Sequence, residues 1–183
     1  MNDNPYKNYP GLEGLIVFHG HICPGLAIGY RATLAGLERL GVERAEDEEL
    51  IAIVENDSCS VDAAQFLAGA TFGKGNFFFH DYGKQVFTFA RRDDSHAVRV
   101  SLKPDRMGPP PEKTAEWRQE RIDFILDSPL EDLLTVSDVE IELPPPATIR
   151  RSIICESCGE PVMETRTITR EEKTICRDCA GPE

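Results

Sequence analysis

The chain has 183 residues, 40% of them hydrophobic and 28% charged, with a formal net charge of −12. That share of apolar side chains excludes a disordered polymer, and the length suits one ordinary domain with a small appendage. Residues 1–146 carry 14 Lys+Arg against 25 Asp+Glu, whereas residues 147–183 carry 6 against 7, so the acidic body repels phosphate backbones and nucleic acid is an unlikely partner for it.

In chain order, Met1–Pro5 is polar and no long apolar run follows, so neither a secretory leader nor a membrane span is expected, and the cytoplasm is the expected setting. Hydrophobic spacing predicts a helix from near Leu12 or Gly14 and a second from about Pro24 to Leu40, closed by Gly41. Leu50–Glu55 has the length of a buried strand; Asn56–Cys59 then turns into a helix from Cys59 to about Leu67, ended by Gly69. Phe77–His80, Gln85–Arg91 and Ala97–Leu102 read as strands, the first two joined by a hairpin at Asp81-Tyr82-Gly83-Lys84. Gly108–Pro111 breaks the chain before an amphipathic helix from roughly Glu112 to Leu126, whose Trp117, Ile122, Ile125 and Leu126 face the body or a second copy of the chain. Leu130–Leu134, an extended stretch over Val136–Leu143 and the stiff Pro144-Pro145-Pro146 spacer complete the body. The expected fold class is α+β: a mixed or antiparallel sheet packed with helices, then a helical extension and a small C-terminal zinc ribbon. The corresponding domains are 1–107, 108–146 and 147–183.

The ribbon rests on Cys155-x-x-Cys158 and Cys176-x-x-Cys179, two pairs separated by 17 residues. That spacing presents four thiolates on two knuckles, the ligand set of a tetrahedral structural zinc. Two disulfides would suit the pattern in a secreted protein, but a reducing cytoplasm favours metal. The flanking segment has few large apolar side chains, so coordination supplies most of its folding free energy. Arg150, Arg151, Arg166, Arg170 and Arg177 form a basic rim that is more often solvated than bound to nucleic acid.

A second constellation lies near the start, in Phe18-His19-Gly20-His21-Ile22-Cys23-Pro24-Gly25, which holds two of the four histidines. The remaining cysteine, Cys59, stands at the predicted start of a helix, where the dipole and free N–H groups favour thiolate. His19, His21, Cys23 and Cys59 are together a candidate catalytic cluster and a candidate ligand set for a second zinc or an iron. Taken singly they have plainer readings: small buried cysteines, a histidine that caps a helix, a satisfied core histidine. Nothing local brings Cys59 to the other three. Asp62 is expected to cap its helix rather than to accept a proton, and Gln65 to be structural or exposed. His80-Asp81 reads equally as a ligand with its orienting carboxylate or as a turn. Gly73–Asn76 reads as a glycine turn without the spacing of a phosphate loop; Lys84 and Arg99 are candidate anion contacts, with solvent exposure the default reading.

Those residues, with Asp57–Ala63, Gly69–Asn76, Asp81–Lys84 and Ala97–Val100, resemble the formylmethanofuran dehydrogenase E-subunit (FmdE) family over roughly residues 10–130. The resemblance implies an α+β core that forms homodimers, with His19, His21, Cys23 and Cys59 gathered in a cleft. It implies an accessory role beside a molybdenum or tungsten enzyme of one-carbon metabolism, whose subunits are candidate partners. It does not bring the dehydrogenase site itself, since no molybdopterin pattern or iron–sulfur spacing occurs here. Three functions follow: a metal-binding accessory protein, a thiol redox enzyme or sensor using Cys59 and Cys23, and a non-enzymatic module that docks a protein or nucleic acid through the ribbon.

Overall fold

Proline and glycine set the limits of the longest helix. Pro24 occupies the first turn of α2 (Pro24–Leu40), where its missing N–H costs nothing, and Gly41 closes it at φ 67° with its N–H bonded to Glu38 and Leu37 carbonyls. The computed structural model describes residues 5–104, 112 and 114–181, which divide into two compact units, 1–146 and 147–183. The Gly108–Pro111 break lies outside the described residues.

The first unit opens with α1 (Leu12–His19), whose Leu12 and Leu15 are buried, and continues into α2. β1 (Leu50–Val54) leads to α3 (Ser60–Ala68), a short 3-10 turn over Phe72–Lys74 and β2 (Phe77–Phe79). β3 (Val86–Arg91) and β4 (Ala97–Leu102) follow, then α4 (Ala115–Asp127), the single turn α5 (Leu130–Leu133) and β5 (Leu134–Val139). The five strands form one sheet in the order β2-β1-β3-β4-β5, with β1 and β2 parallel and the other pairs antiparallel.

The main core lies between this sheet and α2, with Phe87, Phe89, Val98 and Val100 on the sheet side and Ile122, Ile125 and Leu126 of α4 joining it. Gly36 makes the close approach of α2 possible: a Cβ there would sit 2.7 Å from Phe89 Cε2 and nearer still to Cδ2 of the same ring. A smaller cluster of Ile51, Ala90 and Ala97 lies apart from it, packed by Ile141 and Leu143 beyond β5.

Two expectations change. The predicted hairpin at Asp81–Lys84 does not form, because β1 is inserted between β2 and β3. The Lys84 N–H donates to the Glu55 carbonyl and the Glu55 N–H to that of Val86, so the turn carries the chain over the end of β1. β1–α3–β2 is instead a parallel crossover through a helix, which turn residues alone do not distinguish from a hairpin. The segment over 108–146, read as an extension, supplies α4 to the core and β5 to the sheet edge. Arg31 ties it down by donating to the carbonyls of Ile125 (2.9 Å), Leu126 and Ser128 (2.8 Å) at the end of α4.

The second unit consists of two β-ribbons, β6 (Ser152–Ile154) with β7 (Pro161–Met163) and β8 (Thr167–Arg170) with β9 (Lys173–Cys176), followed by the turn α6 (Arg177–Ala180). Its buried cluster is small: Cys155, Ile175 and Cys176, packed by Val162, Cys179 and Ala180. No helix among the described residues is long and apolar enough to cross a membrane.

Candidate metal centres

In the second unit, β6 ends at one knuckle and β9 at the other. Ligand atoms of Cys155, Cys158, Cys176 and Cys179 all lie within 4.8 Å of one another. Backbone N–H groups point at the sulfurs, with Cys176 N–H 3.3 Å from Cys155 Sγ and Cys179 N–H 3.3 Å from Cys176 Sγ. N–H groups of Cys158 and Cys176 hold the Cys155 thiol down to about 6. Cys158, though the Glu160 N–H works against the shift, is pushed up to about 12 by the thiols around it, Cys155 first. Four thiolates cannot share so small a space without a cation between them, and the set fits the tetrahedral demand of zinc. Part of the basic rim is spent within the unit: Arg151 pairs with Glu164 at 2.6 Å and Arg170 donates to the Ala180 carbonyl at 3.2 Å.

In the first unit, α1 ends on His19, and Gly20 at φ 95° reverses the chain with its N–H bonded to the Ile16 carbonyl at 2.8 Å. A side chain at that φ is strained, so glycine is what lets the chain turn here. The reversal brings the rings of His19 and His21 to 4.7 Å. Two residues on, Cys23 caps α2, its sulfur accepting from the Leu26 N–H at 3.4 Å. Ligand atoms of His19, His21 and Cys23 thereby fall within 4.8 Å of one another, with His21 exposed and the other two partly buried. Burial pushes the Cys23 thiol up, the Leu26 N–H acting against it and the neighbouring Cys59 thiol adding to it.

Cys59 reaches this place through the crossing of α2 and α3. Its thiol lies near enough to Cys23 to push that thiol up, yet it stands outside the mutual group formed with the two histidines. Gly25 and Gly29, one turn apart on α2, allow the approach. A Cβ on Gly25 would lie 3.2 Å from Cys59 Cβ, and one on Gly29 would lie 2.7 Å from Ser60 Cα and nearer still to its carbonyl oxygen. The Gly25-x-x-x-Gly29 spacing is the sequence signal for that crossing, and the cysteine and histidine motifs alone do not contain it. Ser60 is fully buried and is held by Asn56 at 3.1 Å and Gln85 at 2.9 Å.

Asp62 does not cap α3. Its carboxylate is 2.7 Å from His19 Nδ1, and its other oxygen accepts from Gln65 Nε2 at 3.3 Å. Gln65 in turn accepts from the Phe72 N–H at 3.4 Å. The opposite nitrogen, His19 Nε2, is buried without a hydrogen-bond partner. Leaving such a group unpaired costs about 1–3 kcal/mol, which a ligand at that nitrogen would remove. An Nδ1–H held by a carboxylate with a free Nε2 lone pair is the form in which histidine binds metal, so the residues present fit a second ion. His80 is exposed and its ring lies 5.7 Å from that of Tyr82, tilted by 53°, outside the cluster. Lys74 is a structural staple, donating to the carbonyls of Glu46 at 3.2 Å and Asp47 at 3.0 Å. Lys84 and Arg99 flank Glu55 at 4.0 and 3.6 Å.

The sequence over residues 18–135 matches the family model described as FmdE, molybdenum formylmethanofuran dehydrogenase operon. The chain belongs to the FmdE family. Residues 149–183 match the prokaryotic dksA/traR C4-type zinc finger, in agreement with the four converging thiols. A crystal structure of a tungsten formylmethanofuran dehydrogenase E-subunit (FmdE)-like protein from Syntrophus aciditrophicus is similar, with a TM-score of 0.71 at 25% identity over 98% of this chain and 94% of that one. A curated protein of Archaeoglobus fulgidus, described as a probable S-adenosyl-L-methionine-binding protein, is 32% identical over 190 residues, covering 90% of this chain. The chain spans about half the length of that relative, 50% of it being covered.

Proposed function

We propose that the chain is a metal-binding accessory protein of one-carbon redox metabolism. In this reading the C4 finger carries a structural zinc, and His19, His21 and Cys23 hold a second zinc or an iron, with Cys59 beside its open position. The observation that carries it is the buried, unpartnered His19 Nε2, on a ring that offers one ligand atom within 4.8 Å of those of His21 and Cys23. Such an ion, when bound with a vacant position, supplies a Lewis acid for a carbonyl or an acidic water. This chain's own residues orient the ligands: Asp62 fixes the His19 ring, Gly20 places His21, and Gly25 admits Cys59.

The one-carbon setting is drawn from the operon named in the family description and from the formylmethanofuran dehydrogenase for which the Syntrophus protein is named. S-adenosylmethionine enters as a candidate ligand through the Archaeoglobus relative. A homodimer is favoured by large apolar side chains left in solvent, Val17 at 78% and Phe72 at 83% exposure, and subunits of a molybdoenzyme are the candidate hetero-partners. Six free cysteines favour the reducing cytoplasm.

Metal content per chain, on protein purified without chelator, tests the reading. Two equivalents in the wild type, falling to one in His21→Ala, would sustain it. One equivalent in both, with added zinc or ferrous iron failing to raise the wild type, would refute it.

The nearness of Cys59 to Cys23 around Gly25 favours one other reading, a redox pair that closes to a disulfide. That reading requires a mobility shift with a mild disulfide oxidant that Cys59→Ser abolishes, and it requires no core metal.

A further inference from the structure

We propose that Asp62 is the positioning residue of the core site. It holds His19 as the Nδ1–H tautomer so that Nε2 is the ligand atom, and Gln65 anchors Asp62 in turn. The inference rests on the metal-centre reading above for its purpose, but the tautomer it assigns belongs to the protein whether or not metal is bound.

Three observations on different elements meet here. The Asp62 Oδ2 to His19 Nδ1 distance of 2.7 Å joins the first turn of α3 to the last residue of α1, across 43 residues of chain. Asp62 Oδ1 is occupied by the Gln65 amide one turn further along α3 at 3.3 Å, and Gln65 Oε1 takes the Phe72 N–H at 3.4 Å. Both carboxylate oxygens thus have a donor, and the imidazole has one remaining nitrogen. That nitrogen is buried and unpartnered. An ionised carboxylate only accepts, so a neutral His19 must place its proton on Nδ1 to make the bond. The Nε2 lone pair is then the one left for a ligand, on a ring that groups with the ligand atoms of His21 and Cys23.

A merely structural ion pair between His19 and Asp62 would leave an Nε2–H donor buried with nothing to receive it. Neutral imidazole with an outward lone pair is the arrangement a cation completes, and the Asp–His–metal series is how proteins commonly orient and sharpen a histidine ligand. Gln65 extends that series to the backbone at Phe72, so the ring is braced from the loop after α3 as well as from the helix.

The test uses the full chain with its ribbon metal in place. Nitrogen-15 histidine spectra of the wild type, with the core site free of metal, should show His19 as the Nδ1–H tautomer at neutral pH. In Asp62→Asn the tautomer should shift toward Nε2–H. Core-site affinity for added zinc, read by competition with a chromophoric chelator, should fall by about 10–100-fold while the ribbon keeps its ion. Amide spectra of α3 check that the variant keeps its fold, and the wild-type tautomer needs no variant at all. An Nε2–H tautomer in the wild type, or zinc affinity within twofold in a folded Asp62→Asn, would overturn the assignment. Absence of any core zinc binding in the wild type would remove the metal-centre reading, and the tautomer would still decide the role of Asp62.

Discussion

Gly29→Ala adds one methyl group at the point where α2 crosses the start of α3. The new Cβ would sit 2.7 Å from Ser60 Cα and 2.8 Å from its carbonyl carbon. Both are backbone atoms of a fully buried residue whose side chain is fixed by Asn56 and Gln85, so no rotamer change relieves the clash. Restoring ordinary contact requires the helices to part by about 1 Å, and overpacking of this kind costs about 1–3 kcal/mol. For a unit of this size that is a fall of roughly 3–10 °C in Tm. The same separation moves Cys59 away from Cys23, because Ser60 and Cys59 are consecutive. Urea unfolding of the wild type, Gly29→Ala and the control Gly73→Ala, where a Cβ meets nothing within 4 Å, measures the first effect. The yield of an oxidant-induced Cys23–Cys59 crosslink measures the second. Wild-type stability and crosslinking in Gly29→Ala would show that the crossing is loose and that glycine is not what brings the two cysteines together.

A strong chelator, or Cys155→Ser, should unfold residues 147–183 while leaving the first unit folded. The ribbon's buried cluster is made largely of its own cysteines, and structural zinc supplies about 10–16 kcal/mol in such modules; amide spectra in which β6–β9 collapse and β1–β5 persist are the expected result. Arg31→Ala should cost about 3 kcal/mol in urea unfolding, because three carbonyls at the end of α4 lose one charged donor. Hydrogen exchange should then quicken first in α4, and uniform exchange across the sheet would contradict that account. Tyr9 donates to Asp127, and that bond, followed by burial, pushes its hydroxyl up to about 12. The folded value lies above the unfolded value of about 10, so the stabilisation is whole below pH about 10 and is lost as pH rises through about 12. The stability gap between wild type and Tyr9→Phe should therefore narrow over that window, and a constant gap would exclude the bond as its cause.

Local punctuation explains which elements the sequence made legible. α2 runs from Pro24 to Leu40 as its proline and glycine dictate, and Gly69 closes α3 at φ 68°. The strand at Leu50 is visible as a buried apolar run. Asp81–Lys84 misleads because a turn reports only that the chain reverses, whereas the partner of the next strand is chosen by the sheet. Val136–Leu143 reads only as an extended stretch, without a sheet partner, for a related reason: the hydrogen bonds of its first residues go to β4, and an edge strand half in solvent carries a weak periodic signal.

The sequence by itself determined the C4 finger, because two short Cys-x-x-Cys loops hold their ligands at fixed chemical spacing whatever surrounds them. It also determined that His19, His21 and Cys23 stand close, since Gly20 and Pro24 confine five residues to a reversal. Only the tertiary structure decided that Cys59 comes beside Cys23 and that Asp62 faces a histidine instead of its own helix end. Those contacts span 36 and 43 residues; the first is set by how closely two glycines let α2 approach α3, and the second by the packing of α1 on α3, where Gly14 meets Phe66. The energy that fixes them is burial and packing between helices, which local sequence preference does not contain.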